Sequence, residues 1–263
     1  MIYQHQQDAI RYIADTLRRD DQADALLISG SIQHGFNDEK SDIDVNIVVP
    51  NEVYEQKRAK RALTYWEGAE DFYPGGYFDG KYITLDYLSL VAERGNEPTR
   101  FALHDSRVAF DKTGKVSEVI QRIGAYPLEG LQEKAIRFLS QLEAWKWYCD
   151  EALRRDDRYL LDFAALKLIL YAGRLILLEN RTFFPYHKWF MRVLERCEKK
   201  PSGLMAATLR LLEEKTAENI TALYELVKNY RNWAGGVEYS WPSNFVYDVE
   251  TVWMRQDEFI ENL

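Results

Sequence analysis

Apolar positions in the first quarter of the chain change from helical spacing to strand-like runs and back. Residues 4–19 carry apolar side chains at three- and four-residue steps, which predicts an amphipathic helix. The apolar run at 25–29 and the β-branched run at 43–49 predict two buried strands. Asn51 then provides a favourable N-cap, so we predict a helix that continues to about Trp66.

Two more strands are predicted after a loop. The segment DFYPGGYFDG at 71–80 is interrupted by Pro and Gly and predicts that loop. The alternating residues 81–88 predict a third strand, in which Asp86 lies on the face opposite Ile83. The segment SRVAF at 106–110 predicts a fourth strand. Together these elements indicate a mixed α/β domain.

Strand signals end near Pro127, and helical periods continue from there to the last residues. We predict helices at 131–148, 159–179, 186–198, 203–214, 217–233 and 244–261. The predicted class is therefore α+β. A mixed-sheet domain at 1–126 precedes an all-helical domain at 127–263.

Composition and charge narrow the classes of partner. Hydrophobic residues make up 46% of the chain and charged residues 29%, as in folded proteins that are not membrane-embedded. The formal net charge of −8 argues against broad contacts with nucleic acid or an anionic membrane, because both would need a basic face. We expect neither as a partner.

Three features favour a cytoplasmic location. The first residues, MIYQHQQDAIRY, lack the basic start and apolar core of a signal peptide. The most apolar segment is interrupted by Lys167 and Arg174 and is too short to span a bilayer. Cys149 and Cys197 have no CxxC spacing, which indicates free thiols in a reducing compartment.

The candidate chemistry begins at the letters SDID. Asp42 and Asp44 share one face of the second predicted strand, roughly 6.6 Å apart along the backbone. Two carboxylates at that spacing repel, so we expect a cation between them, and Mg²⁺ suits ligands that are all oxygen. Asp86, from the third predicted strand, would complete a set of three carboxylates able to hold two metal ions about 4 Å apart.

A Gly-Ser turn lies upstream of the aspartates. Gly30 and Ser31 directly follow the first predicted strand, where glycine lets a ligand approach the backbone and a hydroxyl can donate to a phosphate. The residues from 32 to 41 leave enough chain to bring the second strand back beside the first. An isolated Asp-x-Asp is more often a solvated strand end, but the turn upstream favours a metal site.

The segment GSIQHGFNDEKSDID resembles the Gly-Ser, spacer, Asp-x-Asp signature of the nucleotidyltransferase superfamily, whose palm-like core is shared with DNA polymerase beta. Gly35 fits the glycine that the family usually has four residues after the serine. Gln33 and His34 depart from the family, where an Ala-Arg pair is frequent. The order of an α/β domain and a helical domain is similar to antibiotic nucleotidyltransferases, including aminoglycoside adenylyltransferases.

The resemblance implies a role for each residue of the motif. Gly30 and Ser31 would hold the β- and γ-phosphates of the nucleotide, and Asp42 and Asp44 would bind the metals. Asp86 would bind the second metal or accept the proton of the attacking hydroxyl.

Other positions have competing interpretations. Lys188, in FFPYHKWF, is a candidate for the lysine that helical domains of related enzymes contribute to the phosphates, or its stem lies over the aromatic rings beside it. His34 could contact a phosphate, although a loop histidine is more often solvated. Asp71 and Asp79 are acidic alternatives to Asp86, but both fall in loop-like sequence.

The predicted function is Mg²⁺-dependent nucleotidyl transfer with two ions. By the resemblance, AMP from ATP would pass to a hydroxyl of a small molecule and release pyrophosphate. An aminoglycoside-like antibiotic is one candidate acceptor, which would make the protein a resistance enzyme. Two alternatives stay open: an antitoxin-like enzyme that nucleotidylates a protein, and a catalytically silent nucleotide-binding module.

Overall fold

A five-stranded mixed sheet forms the centre of the N-terminal part of the chain. The computed structural model describes residues 2–255 and 257–263, and the chain divides into two units, Met1–Ala125 and Tyr126–Leu263. The elements of the N-terminal unit are α1 (Gln4–Arg18), β1 (Ala25–Ile28), α2 (Gly30–His34), β2 (Ile43–Val48), α3 (Asn51–Ala59), β3 (Thr64–Gly68), β4 (Tyr77–Ile83), α4 (Leu85–Arg94), α5 (Glu97–His104), β5 (Arg107–Asp111) and α6 (Val116–Gly124).

The strand order of the sheet is β3-β4-β2-β1-β5. β1 pairs antiparallel with β2 and β5, β3 pairs antiparallel with β4, and β2 and β4 are parallel. A parallel pair needs a crossover connection, which α3 and β3 supply. In the parallel pair, Asp44 is opposite Asp79 and Val48 is opposite Ile83.

Helices cover both faces of the sheet. On one face, Ile10 and Ile13 of α1 pack against strand residues that include Ile47 and Phe78. On the other face, α4 and α6 pack over the strand ends marked by Val48 and Ile83. Because alternate strand residues share a face, Asp44 lies on the same face as Val48, four residues nearer the start of β2.

One predicted helix is too long, and a strand was missed. The helix predicted from Asn51 to about Trp66 ends at Ala59, and β3 begins at Thr64. Arg61 takes a φ of 53°, in the left-handed region, so the helix cannot continue through it. No glycine marks this stop in the sequence, which is why apolar spacing alone extended the helix.

The strand predicted at 81–88 is also misplaced. β4 starts at Tyr77, inside the predicted loop, and the chain enters α4 immediately after Thr84. The Thr84 side chain accepts a hydrogen bond from the Tyr87 backbone N–H at 3.0 Å, which is a helix N-cap. With this cap the chain forms a helix despite its alternating residues. Asp86 therefore lies in the first turn of a helix and not on the strand predicted from the sequence.

The C-terminal unit is helical, as predicted, so the α+β class is confirmed. Its elements are α7 (Leu131–Arg155), α8 (Arg158–Glu179), α9 (Tyr186–Arg196), α10 (Leu204–Glu213), α11 (Ala217–Lys228), α12 (Trp241–Phe245), a π-helical turn (Val246–Glu250) and a 3₁₀ turn (Val252–Met254). The single helix predicted at 244–261 is wrong, because three short helical types replace it. Residue 256 of that range lies outside the described residues.

The interior of the C-terminal unit contains a buried cation. Arg174 of α8 is fully buried between the rings of Phe138 and Phe184, 4.6 and 4.5 Å from their centroids. Its guanidinium donates to the carbonyls of Glu261 and Leu263, which brings the last residues onto α8. Within the described parts of the chain, no helix has the length and apolar character needed to cross a membrane.

Both cysteines are free and buried in the C-terminal unit. Burial raises the pKa of the Cys149 thiol to about 12 and that of Cys197 to about 11. The thiolate is the reactive form of cysteine, and the raised pKa values disfavour it. We therefore assign both buried cysteines a role in packing.

Two aromatic residues on adjacent strands allow a test of the sheet core. Phe78 is fully buried under α1, whereas Trp66 on β3 is 67% exposed. We expect Phe78→Ala to lower the free energy of unfolding by about 3–5 kcal/mol, because it removes a ring from a packed interior. Trp66→Ala is the control, with an expected loss below about 1 kcal/mol. Equal losses in urea denaturation would contradict the assigned faces of β3 and β4.

Candidate active site

The Gly-Ser turn is built against the carboxylate of Asp44. Gly30 opens α2 with a φ of 65°, a conformation that favours glycine. A Cβ added at Gly30 would lie only 1.7 Å from Asp44 Oδ2, so the carboxylate occupies the space that any side chain would need. The turn and the start of β2 are therefore in direct contact, as the sequence motif predicted for one shared site.

Polar groups of the turn are buried around this contact. The Ser29 backbone N–H donates to the Asp44 carbonyl at 3.0 Å, and the Asn46 side-chain amide donates to Ser29 Oγ at 2.7 Å. Ser31 is 7% exposed, and its Oγ has no hydrogen-bond partner among the residues that the structure describes. A buried hydroxyl in this position is one that a bound ligand would satisfy.

The loop before Asp42 is braced by residues from distant segments. The fully buried amide of Gln6, on α1, donates to the carbonyls of Asp38 and Ser41 at 2.9 and 3.3 Å. The Tyr73 hydroxyl donates to the same Ser41 carbonyl at 2.9 Å. Burial, and then the charge of Asp42, raise the pKa of Tyr73 to about 12. These contacts fix where Asp42 enters the site.

Asp79 supplies a third carboxylate at this edge of the sheet. It is directly opposite Asp44 in the parallel pair of β2 and β4, so both side chains are on one face. Tyr77 is near all three carboxylates, because their charges raise the pKa of its phenol. The charge of Asp42 has the largest effect, and those of Asp79 and Asp44 have smaller ones. The structure therefore gathers Asp42, Asp44 and Asp79.

Asp86 is not part of this group. It is exposed in the first turn of α4 and accepts a hydrogen bond from the Asn51 side-chain amide at 2.8 Å. From Asp79 the strand continues to Ile83, a rise of roughly 13 Å away from Asp44, before α4 begins. The expectation that Asp86 faces Asp42 and Asp44 is thus corrected, and Asp79 takes that position. In the sequence, the alternation within YFDGKYI could have indicated the strand that contains Asp79.

Lys81 brings a positive charge to the same face. It follows Asp79 by two residues on β4 and is opposite Asn46 of β2. Desolvation by the surrounding protein lowers the pKa of its ammonium, and the charge of Asp44 opposes that effect. Lys81 therefore partly offsets the negative charge of the site, a contribution that sequence reasoning missed.

Two stacked aromatic rings, the exposed Trp66 and the half-buried Tyr77, border the carboxylates. Trp66 is opposite Asp79 in the antiparallel pair of β3 and β4, and its ring stacks on that of Tyr77 with centroids 6.4 Å apart. Large aromatic surface open to solvent beside charged groups is suited to contact a flat, polar ligand such as a nucleobase. Neither residue carries a motif that would have singled it out in the sequence.

Lys188 belongs to the other unit. It is exposed on α9, with its ammonium 5.1 Å from the ring centroid of Trp189. This arrangement agrees with the alternative interpretation, in which the lysine stem lies over a neighbouring ring. Its contact with nucleotide phosphates stays a prediction.

The donor set of the site fits a hard divalent cation. Asp42, Asp44 and Asp79 offer only carboxylate oxygens, and Ser31 adds a hydroxyl that lacks a partner in the described structure. The oxygens of the three carboxylates do not all lie within 4.8 Å of one another, so water or substrate oxygens would complete the coordination of an ion here. Mg²⁺ is commonly held in this way, by one or two carboxylates together with phosphate oxygens.

Comparison with known proteins gives two family matches. Residues 10–82 match the family model described as a nucleotidyltransferase domain, and residues 96–190 match a domain of unknown function, DUF4037. The first range includes the Gly-Ser turn and all three gathered aspartates, and it ends before Asp86. No curated protein matches the chain.

Among solved structures, the chain is similar to a nucleotidyltransferase-like protein from Exiguobacterium sibiricum 255-15. The two are 10% identical, with a TM-score of 0.48 over 96% of this chain and 80% of that one.

Substitution of two glycines that have the same φ tests the contact between the turn and Asp44. Gly30 and Gly35 both have a φ of 65°, but a Cβ at Gly35 meets nothing within 4 Å. Each change to Ala is expected to cost roughly 1–2 kcal/mol of stability for the left-handed backbone. Gly30→Ala should cost about 1–3 kcal/mol more, because the Asp44 carboxylate must move. Equal losses in thermal unfolding of the two variants would show that the close contact is absent.

Proposed function

We propose that this chain transfers a nucleoside monophosphate from an NTP to a hydroxyl group and releases pyrophosphate, since residues 10–82 match the nucleotidyltransferase domain family. The observation that carries the proposal is the grouping of Asp42, Asp44 and Asp79 beside the Gly30–Ser31 turn. In the reaction, the acceptor oxygen bonds to the α-phosphorus, and the bond from that phosphorus to the α,β-bridging oxygen breaks.

The turn would bind the phosphates that leave. Gly30 presents backbone without a side chain, and the Ser31 hydroxyl, buried and unpartnered among the described residues, would donate to a phosphate oxygen. Lys81 would lower the repulsion between the incoming phosphates and the aspartates, since its ammonium is near Asp44. Donors fixed before the reaction stabilise the charge that develops on pyrophosphate.

The aspartates would hold Mg²⁺ and accept a proton. Bound Mg²⁺ neutralises negative charge on the transferred and leaving phosphates. The carboxylate of Asp79 is our candidate to accept the proton of the attacking hydroxyl, because the register of β4 puts it opposite Asp44. The proposal thus keeps the predicted roles of Asp42 and Asp44 and moves the predicted role of Asp86 to Asp79.

We propose ATP as the donor and a small molecule as the acceptor. ATP rests on the family resemblance. A net charge of −8 favours a neutral or cationic acceptor over nucleic acid, and an aminoglycoside-like compound has the required hydroxyl and amino groups. Trp66, exposed beside Asp79, is a candidate surface for the base or the acceptor. We propose the cytoplasm as the location, because both cysteines are free thiols, as in a reducing compartment.

The matched aspartates Asp79 and Asp86 provide the test. Pyrophosphate release is measured from each of the four NTPs with Mg²⁺, across aminoglycosides, lincosamides, nucleosides and a cell extract. We expect acceptor-dependent release that falls by about 10²-fold or more in Asp79→Asn and Asp44→Asn, because each removes a charge from the reacting centre. Asp86→Asn should stay within about threefold of the parent, since it is located beyond the end of β4.

The outcomes separate the remaining alternatives. Full activity in Asp79→Asn with loss in Asp86→Asn would show that Asp86, as predicted from the sequence, is the third carboxylate. A covalent AMP mass shift on a co-purified protein, without small-molecule transfer, would instead support an enzyme that modifies proteins. Nucleotide binding with no pyrophosphate release under any condition would indicate a silent binding module.

A further inference from the structure

Three potential metal ligands meet where two helices of the N-terminal unit end. His34 is the last residue of α2, His104 is the last residue of α5, and Asp105 follows directly. His34 Nδ1 is 3.4 Å from Asp105 Oδ2, and His104 Nδ1 is 2.8 Å from Asp105 Oδ1. One ligand atom from each residue lies within 4.8 Å of the other two, and among the described residues this is the only such group.

We propose that His34, His104 and Asp105 form a binding site for a transition-metal ion of the Zn²⁺ class, separate from the aspartates of the candidate active site. Two imidazoles and one carboxylate are a donor set that suits Zn²⁺, with a fourth position left for water. Ligand bonds of about 2.1 Å in a tetrahedron put neighbouring ligand atoms roughly 3.4 Å apart. His34 Nδ1 and Asp105 Oδ2 already have that separation, and each imidazole would exchange its hydrogen bond to Asp105 for a bond to the ion.

The surroundings of the group favour a cation. Both histidines are at helix C-termini, where the backbone carbonyls give a partial negative charge, and α5 is long enough for this effect to matter. Asp105 is exposed, which gives an ion a route of entry, whereas the His34 side chain is 5% exposed.

Packing orients the buried ligand. The His34 ring stacks on that of Phe101, with centroids 4.3 Å apart, and the His104 ring contacts the edge of the same phenylalanine at 5.3 Å. An apolar neighbour that restricts ring rotation lowers the cost of ordering both imidazoles around an ion. The ion would also tie α2, which begins at Gly30, to the end of α5.

The chain offers its own controls, because it has four histidines. His5 and His187 are outside the group, so His5→Gln and His187→Gln are matched to His34→Gln and His104→Gln. Zn²⁺ is titrated by calorimetry into EDTA-treated full-length protein with Mg²⁺ present. The parent protein and all variants carry Asp44→Asn, which removes one carboxylate from the candidate active site, and excess Mg²⁺ competes with Zn²⁺ for the others.

We expect one equivalent of Zn²⁺ to bind. Affinity should fall at least about tenfold in His34→Gln, in His104→Gln and in Asp105→Asn, and stay within twofold in the two controls. Absence of Zn²⁺ binding, or full affinity in any of the three ligand variants, would overturn the site. Because the Asp44 change is present throughout, this result is independent of whether the chain transfers nucleotides.

A second measurement needs no change to the proposed ligands. In the NMR spectrum of the histidine rings, Zn²⁺ should shift two of the four imidazole signals to saturation at one equivalent. The spectrum of His5→Gln lacks the signal of His5, and the spectrum of His187→Gln lacks that of His187. These two assigned signals belong to the rings that should not shift. Saturable shifts of those rings, or no saturable shift at all, would contradict the proposal even if a ligand variant fails to fold.

Discussion

The position of the Asp44 carboxylate against Gly30 is the constraint on which the candidate site depends. Asp42, Asp44 and Asp79 lie near one edge of the sheet, and carboxylates that share a site repel one another. Rigid supports are needed to keep them there. The parallel register of β2 and β4 fixes Asp44 against Asp79, and the absence of a side chain at Gly30 gives the Asp44 carboxylate its place.

The same helix that builds the core also holds the site loop. The apolar side of α1 packs under the sheet, while Gln6, fully buried on that helix, donates to the carbonyls of the loop before Asp42. A buried amide with several partners resists displacement, because loss of any one of them leaves a polar group unsatisfied. Position of the loop and packing of the sheet are therefore linked through one residue.

Prediction from the sequence succeeded where the information is local. Gly30, Ser31, Asp42 and Asp44 occupy one contiguous segment, and the pairing of β1 with β2 brings the Gly-Ser turn against Asp44. The helices of the second unit follow from their 3.6-residue periods, except the last, where the chain changes between helical types.

The failures are non-local. Choosing between Asp79 and Asp86 requires the register of β4 against β2, and the Thr84 cap that ends the strand was masked by alternating residues. His34 and His104 are 70 positions apart, and only the folded unit brings them to one aspartate. The alternation within YFDGKYI indicates a strand at Asp79 but not its register against β2, and nothing in the sequence pairs His34 with His104.

The parallel pairing of β2 and β4 has a consequence for how this chain can change length. The crossover between the two strands contains α3 and β3, and residues added within its loops would leave the strand register intact. Deletion of one residue inside β4, between Tyr77 and Asp79, would turn one of them to the opposite face. Homologous chains should therefore differ in length within the crossover and keep the spacing within YFDGKYI.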